Sequence, residues 1–221
     1  MATTKGQRIG IWVIIIFMIV GTIGSFAIIA LANQNDAADT AKIQVIEEQY
    51  KKDYEAYQEK LTAQATEMSS KYFDTFNSFS DRVSEFNADE VKELSKEDLL
   101  IGDGAEITSE STFHAYYLGW TPDGKIFDGS IQDGALKSAF EVTPGGVIEG
   151  WSEGTVGMKT GGVRLLTIPS DKAYGESGSG ESIPANTPLK FIVMVVESPE
   201  QLEMPEMPKA LYDYYRKQGA I

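Results

Sequence analysis

Residues 147–162 read VIEGWSEGTVGMKTGG. Five of these sixteen positions are glycine, yet Ile148, Trp151, Thr155 and Met158 recur at helical spacing. Glycine costs roughly 1 kcal/mol relative to alanine inside a helix, and a helix of two turns does not persist alone in water. The stretch therefore predicts a short helix held by a sheet, its glycines admitting close backbone approach. On such a helix Trp151 has no exposed task. Its broad face either packs in a core, the plainer role for a tryptophan, or floors a pocket.

The flanking residues supply the sheet. In STFHAYYLG, Phe113, Ala115 and Tyr117 fall on one face. VRLLTIP sets Val163, Leu165 and Thr167 opposite Arg164, Leu166 and Ile168. LKFIVMVVES sets Leu189, Phe191, Val193 and Val195 opposite Ile192, Met194 and Val196. Period-2 runs of β-branched and aromatic residues read as strands. TPDGK (121–125) and VTPGGV (142–147) read as turns, because proline presets one dihedral and glycine tolerates positive φ. The module is thus mostly antiparallel β with one short glycine-rich helix.

Three runs in order, YLGWTPDGKIFDGS (117–130), VIEGWSEGTVGMKTGGVRLLTIPSDKAYG (147–175) and SIPANTPLKFIVMVV (182–196), closely resemble the FKBP-type peptidyl-prolyl isomerases in residue type and spacing. The resemblance extends roughly from Leu94 to Ser198, with GDGAEI (102–107) looking like that family's first strand. It implies a curved antiparallel sheet wrapped around one short helix, with the active site between them. It implies rotation about Xaa-Pro bonds, with proline-containing unfolded or folding polypeptides as partners. By resemblance Trp151 is the platform under a bound proline ring. Tyr117, Phe127, Asp128, Val147, Ile148, Tyr174, Ile183 and Phe191 surround it, with Asp128 at the rim. The backbone N–H matching Ile148 and the hydroxyl matching Tyr174 donate to the ligand in that family. Four positions depart from common members. Ser138 stands where a phenylalanine is frequent, with Phe140 two residues on; Gly146 stands where glutamate is frequent; Ser179 and Ser182 replace bulkier groups. These changes should widen one wall. The loop GESGSGE (175–181) reads either as a plain connector or as a flap over the site, and lacks the Lys-Ser/Thr of a phosphate loop.

The whole chain narrows the alternatives. A net charge of −14 argues against nucleic acid, whose phosphates need a basic face. There is no cysteine, so no thiolate nucleophile is available, and the one histidine, His114, reads as a strand residue and cannot supply a histidine-based metal cluster. No metal and no cofactor is expected.

Before residue 102 the chain reads differently. Ile9–Ala32 holds 24 residues without a charge, about 36 Å as a helix, enough for a hydrocarbon core of about 30 Å. A signal peptide ending near Ala30-Leu31-Ala32 is the rival reading, but its apolar region would be shorter. Lys5 and Arg8 precede the span, which predicts a single-pass anchor with residues 1–8 cytoplasmic and the rest, including the catalytic domain, outside. From residue 33 to 90 an apolar stripe runs Ile43, Ile46, Tyr50, Tyr54, Tyr57, Leu61, Ala65, Met68, Tyr72, Phe76, Phe79, Val83, Phe86 at a mean step near 3.6. It predicts a long amphipathic helical stalk, interrupted at most around 73–80. A second copy, giving a homodimer, or a fold-back hairpin would cover the stripe; an arm holding unfolded clients would leave it open. The isomerase domain is expected over 91–198. The tail, 199–221, begins as a proline-rich linker and ends in a short helix over 209–217. A non-catalytic FKBP-like module whose stalk holds clients is the alternative function.

Overall fold

The computed structural model describes residues 34–220. The proposed anchor, Ile9–Ala32, lies outside the described residues; among the latter no helix is long and apolar enough to cross a membrane. The chain divides into two compact units. One holds the chain up to Lys60 together with Leu202 onward, and the other is Leu61–Gln201.

A single helix, α1 (Gln34–Asn77), runs through the stripe and contributes to both units. It ends at Asn77, inside the 73–80 window where an interruption is expected, and no further α-helix follows before residue 90. The physical reason sits at its end. Ser78 and Ser80 turn their hydroxyls back onto the carbonyls of Thr75 and Asn77, both at 2.7 Å, offering the backbone an alternative to further helical bonds. Residues 78–94 continue as two single 3-10 turns and extended chain. Phe79, Val83 and Phe86 keep the apolar rhythm there without being helical, because they face the same core.

The second unit is built on β1 (Ser95–Leu100), β2 (Phe113–Trp120), β3 (Ile126–Gly129), β4 (Ile131–Gln132), β5 (Ala135–Leu136), β6 (Phe140–Val142), β7 (Val163–Ile168) and β8 (Leu189–Val196), with helix α2 (Glu149–Thr155) between β6 and β7. The main sheet is antiparallel in the order β1-β7-β8-β2-β3, and β6 pairs with the N-terminal half of β2. The expectation of an antiparallel sheet with one short glycine-rich helix holds. The first strand does not lie at 102–107. It is Ser95–Leu100, and 102–107 is a loop pressed against the turn before β7. A Cβ on Gly102 would lie 2.3 Å from the carbonyl oxygen of Thr160, and Gly104 N–H donates to that oxygen at 3.1 Å. Its glycines serve close backbone approach rather than strand pairing.

Alternation sorts the strands into two cores. Phe113, Ala115, Leu166, Ile168, Leu189, Phe191, Val193 and Val195 face inward with Trp151 and Met158. Tyr116, Leu118, Trp120, Val163, Leu165, Ile192, Met194 and Val196 face outward, where Tyr72 and Phe76 of α1 cover them, with Met68 and Phe73 alongside. The stripe from Met68 onward is therefore covered by the chain's own sheet. Ser69 Oγ accepts from Leu136 N–H at 2.9 Å, Trp120 Nε1 donates to the Ser84 carbonyl at 3.0 Å, and Lys71 pairs with Glu197. In the other unit α3 (Lys209–Lys217), the expected tail helix, buries Leu211 and Tyr215, and the Tyr215 hydroxyl donates to Glu47 at 2.9 Å.

One group in the outer core is unsatisfied. The Tyr116 hydroxyl is fully buried and has no hydrogen-bond partner among the described residues. Burial pushes its phenol up to about 12, with Tyr72 adding to the shift. An unpaired buried hydroxyl costs about 1–3 kcal/mol, so Tyr116→Phe should raise stability by an amount in that range in urea unfolding at pH 7. The unfolded phenol titrates near 10 and the folded one near 12. Between these values the unfolded state binds fewer protons, so wild-type stability falls as pH rises above 10. Tyr116→Phe should make that decline shallower.

Candidate functional site

The site forms on the inner face of the sheet, around helix α2. Two glycines decide how close α2 comes. A Cβ on Gly150 would lie 2.3 Å from Ile168 Cγ2, and one on Gly154 would lie 2.7 Å from Leu166 Cδ1. The helix rests directly on β7, and Trp151, next to Gly150, is turned into the inner core with 4% of its surface exposed. Thr155 Oγ1 donates to the Trp151 carbonyl at 2.9 Å.

Aromatic rings stand edge-on around this indole. Tyr117 lies 5.4 Å from it at 87°, Phe191 5.5 Å at 87° and Phe140 6.3 Å at 90°, centroid to centroid. Phe140 also meets Tyr117 edge-on at 5.8 Å, and Phe127 meets Phe191 at 5.6 Å. These near-perpendicular pairs are of the edge-to-face kind that the aromatic quadrupole favours. Phe140 is 40% exposed and stands among these rings, two residues from exposed Ser138.

Most of the residues that the resemblance places at the site pack together here. Trp151, Ile183 and Phe191 belong to the inner core, with Tyr117, Phe127, Val147 and Ile148 half-buried against it. Asp128 joins through the Tyr117 hydroxyl, which donates to its Oδ2 at 2.6 Å, while Oδ1 accepts from Gly129 N–H at 2.8 Å. Burial first, then Asp128, holds the Tyr117 phenol well above its ordinary range; burial and Asp128 raise Tyr174 as well. Both phenols stay protonated at physiological pH.

Two donors are left over. The Ile148 N–H makes no hydrogen bond among the described residues, although its carbonyl accepts from Trp151 N–H at 3.0 Å and Ser152 N–H at 3.1 Å to start the helix. The hydroxyl of Tyr174, a residue 38% exposed, is likewise unpartnered among the described residues. The segment after Tyr174 is closed by its own backbone. Ser179 and Ile183 exchange bonds of 2.7 and 3.2 Å, and Asn186 N–H donates to Gly175 at 2.8 Å. Ser179 and Ser182 are exposed on it. Gly146 has a local cause, since a Cβ there would lie 2.6 Å from Thr143 Oγ1 in the turn before the helix. His114 lies apart from the rings, its Nδ1 3.1 Å from Ser198 Oγ.

Sequence reading missed two supports. Gly119 pairs with both Phe191 and Asp128. A Cβ on it would lie 2.5 Å from Phe191 Cε1 and 2.8 Å from Phe127 Cζ, so the two rings close over the place where a side chain would stand. The second is Arg164. It lies on the inner face of β7 with its side chain 9% exposed, bonds Asp98 through Nε at 2.6 Å, and donates through Nη1 to the carbonyls of Gly154 at 2.8 Å and Val156 at 3.1 Å. The inward period of Arg164 was visible, but nothing in the pattern marked a cation as the inward member.

The arrangement offers an aromatic floor and walls, two free donors, and no nucleophile paired to a base. Residues 104–196 match the family described as FKBP-type peptidyl-prolyl cis-trans isomerase. An FK506-binding protein of Neisseria meningitidis serogroup B is 41% identical over 101 residues, covering 46% of this chain and 92% of that protein. FK506-binding protein 4 of Dictyostelium discoideum is 42% identical over 103 residues, 47% of this chain and 28% of that one. A Haemophilus influenzae protein named "Probable FKBP-type peptidyl-prolyl cis-trans isomerase" is 40% identical over 96 residues, 43% of this chain and 39% of that one.

Gly119→Ala should separate the Phe127 and Phe191 rings. Overpacking of this kind costs about 1–3 kcal/mol. Urea unfolding should register a loss in that range, and the ring proton resonances of both phenylalanines should shift.

Proposed function

Because the chain belongs to the FKBP-type peptidyl-prolyl cis-trans isomerase family, we propose that its β unit accelerates rotation about Xaa-Pro bonds in unfolded or folding polypeptides. The observation that carries this is an indole flanked by perpendicular aromatic rings, with two donors unpartnered among the described residues: Ile148 N–H, three residues before it, and Tyr174 OH, which shares the neighbourhood of Asp128 and Tyr117.

Rotation of a peptide bond faces a barrier of about 18–20 kcal/mol, and before proline it takes tens of seconds or more unaided. Bringing it to milliseconds requires about 10⁴-fold, or roughly 5–6 kcal/mol of stabilisation realised in the transition state. The planar amide is the more dipolar state and is favoured by water. A proline ring seated on Trp151 leaves water for ring edges and apolar walls, which removes that advantage and favours the twisted amide. Ile148 N–H and Tyr174 OH then fix the carbonyls on either side of the turning bond. No proton changes hands. Tyr117, committed to Asp128, acts as a wall.

The same proposal keeps the protein at a membrane. The uncharged run Ile9–Ala32, preceded by Lys5 and Arg8, would be the anchor, with clients met outside the cytoplasm. The non-catalytic reading, in which the long helix holds clients, loses its surface where Met68, Tyr72 and Phe76 are already packed on the sheet.

With the full-length chain in detergent, a proline-limited refolding assay should show acceleration. Tyr174→Phe should lower kcat/KM about three- to tenfold, the worth of one neutral hydrogen bond, and leave the unfolding midpoint unchanged. Since burial raises both phenols of the site, kcat/KM should show no alkaline limb below pH 10 arising from either. Absence of acceleration by the wild-type chain would refute the proposal.

A further inference from the structure

Helix α2 is seven residues long and starts without a side-chain cap. A helix leaves its last four carbonyls without intrahelical partners. Here three of those at the C-terminal end are answered from outside. Met158 N–H donates to Thr155 at 3.0 Å. Lys96 Nζ donates to Glu153 at 2.6 Å, and Arg164 Nη1 donates to Gly154 at 2.8 Å. Arg164 also reaches Val156, the residue that closes the helix. Both cations sit where the helix dipole favours positive charge.

Strand β1 organises this. Lys96 and Asp98 lie on one of its faces. Lys96 contacts the helix directly, and Asp98 fixes the guanidinium of Arg164 at 2.6 Å. Glu97, between them, points the other way and takes both its bonds from Arg82 Nη2, at 2.8 and 2.9 Å. The strand lies ahead of residues 104–196, the part that matches the family. On the far side of the helix Lys172 bridges Glu149 at 2.7 Å and Glu153 at 2.6 Å, so Glu153 is gripped through its carbonyl by one lysine and through its carboxylate by another.

We infer that Lys96 and Asp98, the latter through Arg164, are positioning residues for the isomerase site: they hold the C-terminal carbonyls of the short helix and so set the tilt of the Trp151 indole and the direction of the Ile148 N–H. The inference rests on the isomerase reading for its kinetic consequence. Lys96 is exposed, and an exposed lysine contact contributes little to folding. Its loss therefore separates positioning from stability. A floor slightly out of place weakens contacts made in the twisted state more than capture of the chain, which lowers kcat rather than raising KM.

The test uses full-length chains in detergent carrying Lys96→Met, Lys96→Arg and Asp98→Asn. Two quantities are read, the indole N–H resonance of Trp151 and the separate kcat and KM for a prolyl peptide. Lys96→Met and Asp98→Asn should each shift the Trp151 resonance and lower kcat about three- to tenfold with KM within twofold. Lys96→Met should keep the wild-type unfolding midpoint, and Lys96→Arg should restore both readouts. An unmoved resonance with unchanged kcat in Lys96→Met and Asp98→Asn would overturn the inference, as would an Arg substitution that behaves like Met. Should the wild-type chain prove inactive, the functional proposal fails on its own, and the indole resonance still decides the positioning.

Discussion

The inner half of the β unit depends on one close approach, the backbone of a glycine-containing helix lying against the side chains of β7. With Cβ positions at 150 and 154 falling 2.3 and 2.7 Å from Ile168 and Leu166, no larger residue keeps that distance without moving strand or helix. Alanine at these places would gain roughly 1 kcal/mol of helix propensity each. Ile168 is branched at Cβ and fully buried, so it has little freedom to yield at position 150. Geometry outweighs propensity, and it delivers Trp151 to the inner face at a depth where three rings pack perpendicular to its indole.

The outer half follows from β8. A strand whose residues are buried on both faces needs a layer on each side. The inner layer is α2. The outer layer is α1, through Tyr72 and Phe76, joined by Phe79, Val83 and Phe86 after the helix has ended. The chain leaving β8 returns along the same helix. Glu197 pairs with Lys71, and the Glu200 carbonyl accepts from Gln64 Nε2 at 2.8 Å. Part of the long helix is thus a structural layer of the β unit and is not a free arm.

Much of this was legible from residue pattern, and the failures have specific causes. The helix at 149–155, the strands at 113–120, 163–168 and 189–196 and the tail helix at 209–217 follow from periodicity and glycine placement. The stripe and the second apolar face of β8 were each visible, but pattern alone does not pair signals more than a hundred residues apart. Phe79, Val83 and Phe86 prolonged the stripe because an extended chain crossing a core also spaces its apolar residues. The first strand, SKEDLL, went unread because it is an edge strand whose side chains are nearly all exposed, leaving no alternation to find. Gly119 and Arg164 act through partners that only strand register and helix placement reveal.

The distribution of hydrogen bonds in the site separates what builds it from what it offers a ligand. Asp128 accepts from Tyr117 through one oxygen and from its neighbour Gly129 through the other, which ties β3 to the wall of the site. Burial keeps the phenols of Tyr117 and Tyr174 protonated, so neither supplies a base at neutral pH. Proton transfer is thereby starved of participants while donation is not. Of the donors left, Ile148 N–H opens the helix that carries Trp151 three residues later. Floor and donor consequently move as one rigid piece. Under the proposed function, a displacement of the helix would alter the seat of the proline ring and the hold on its carbonyl together, which would make the contacts at the far end of that helix as consequential as those that face the substrate.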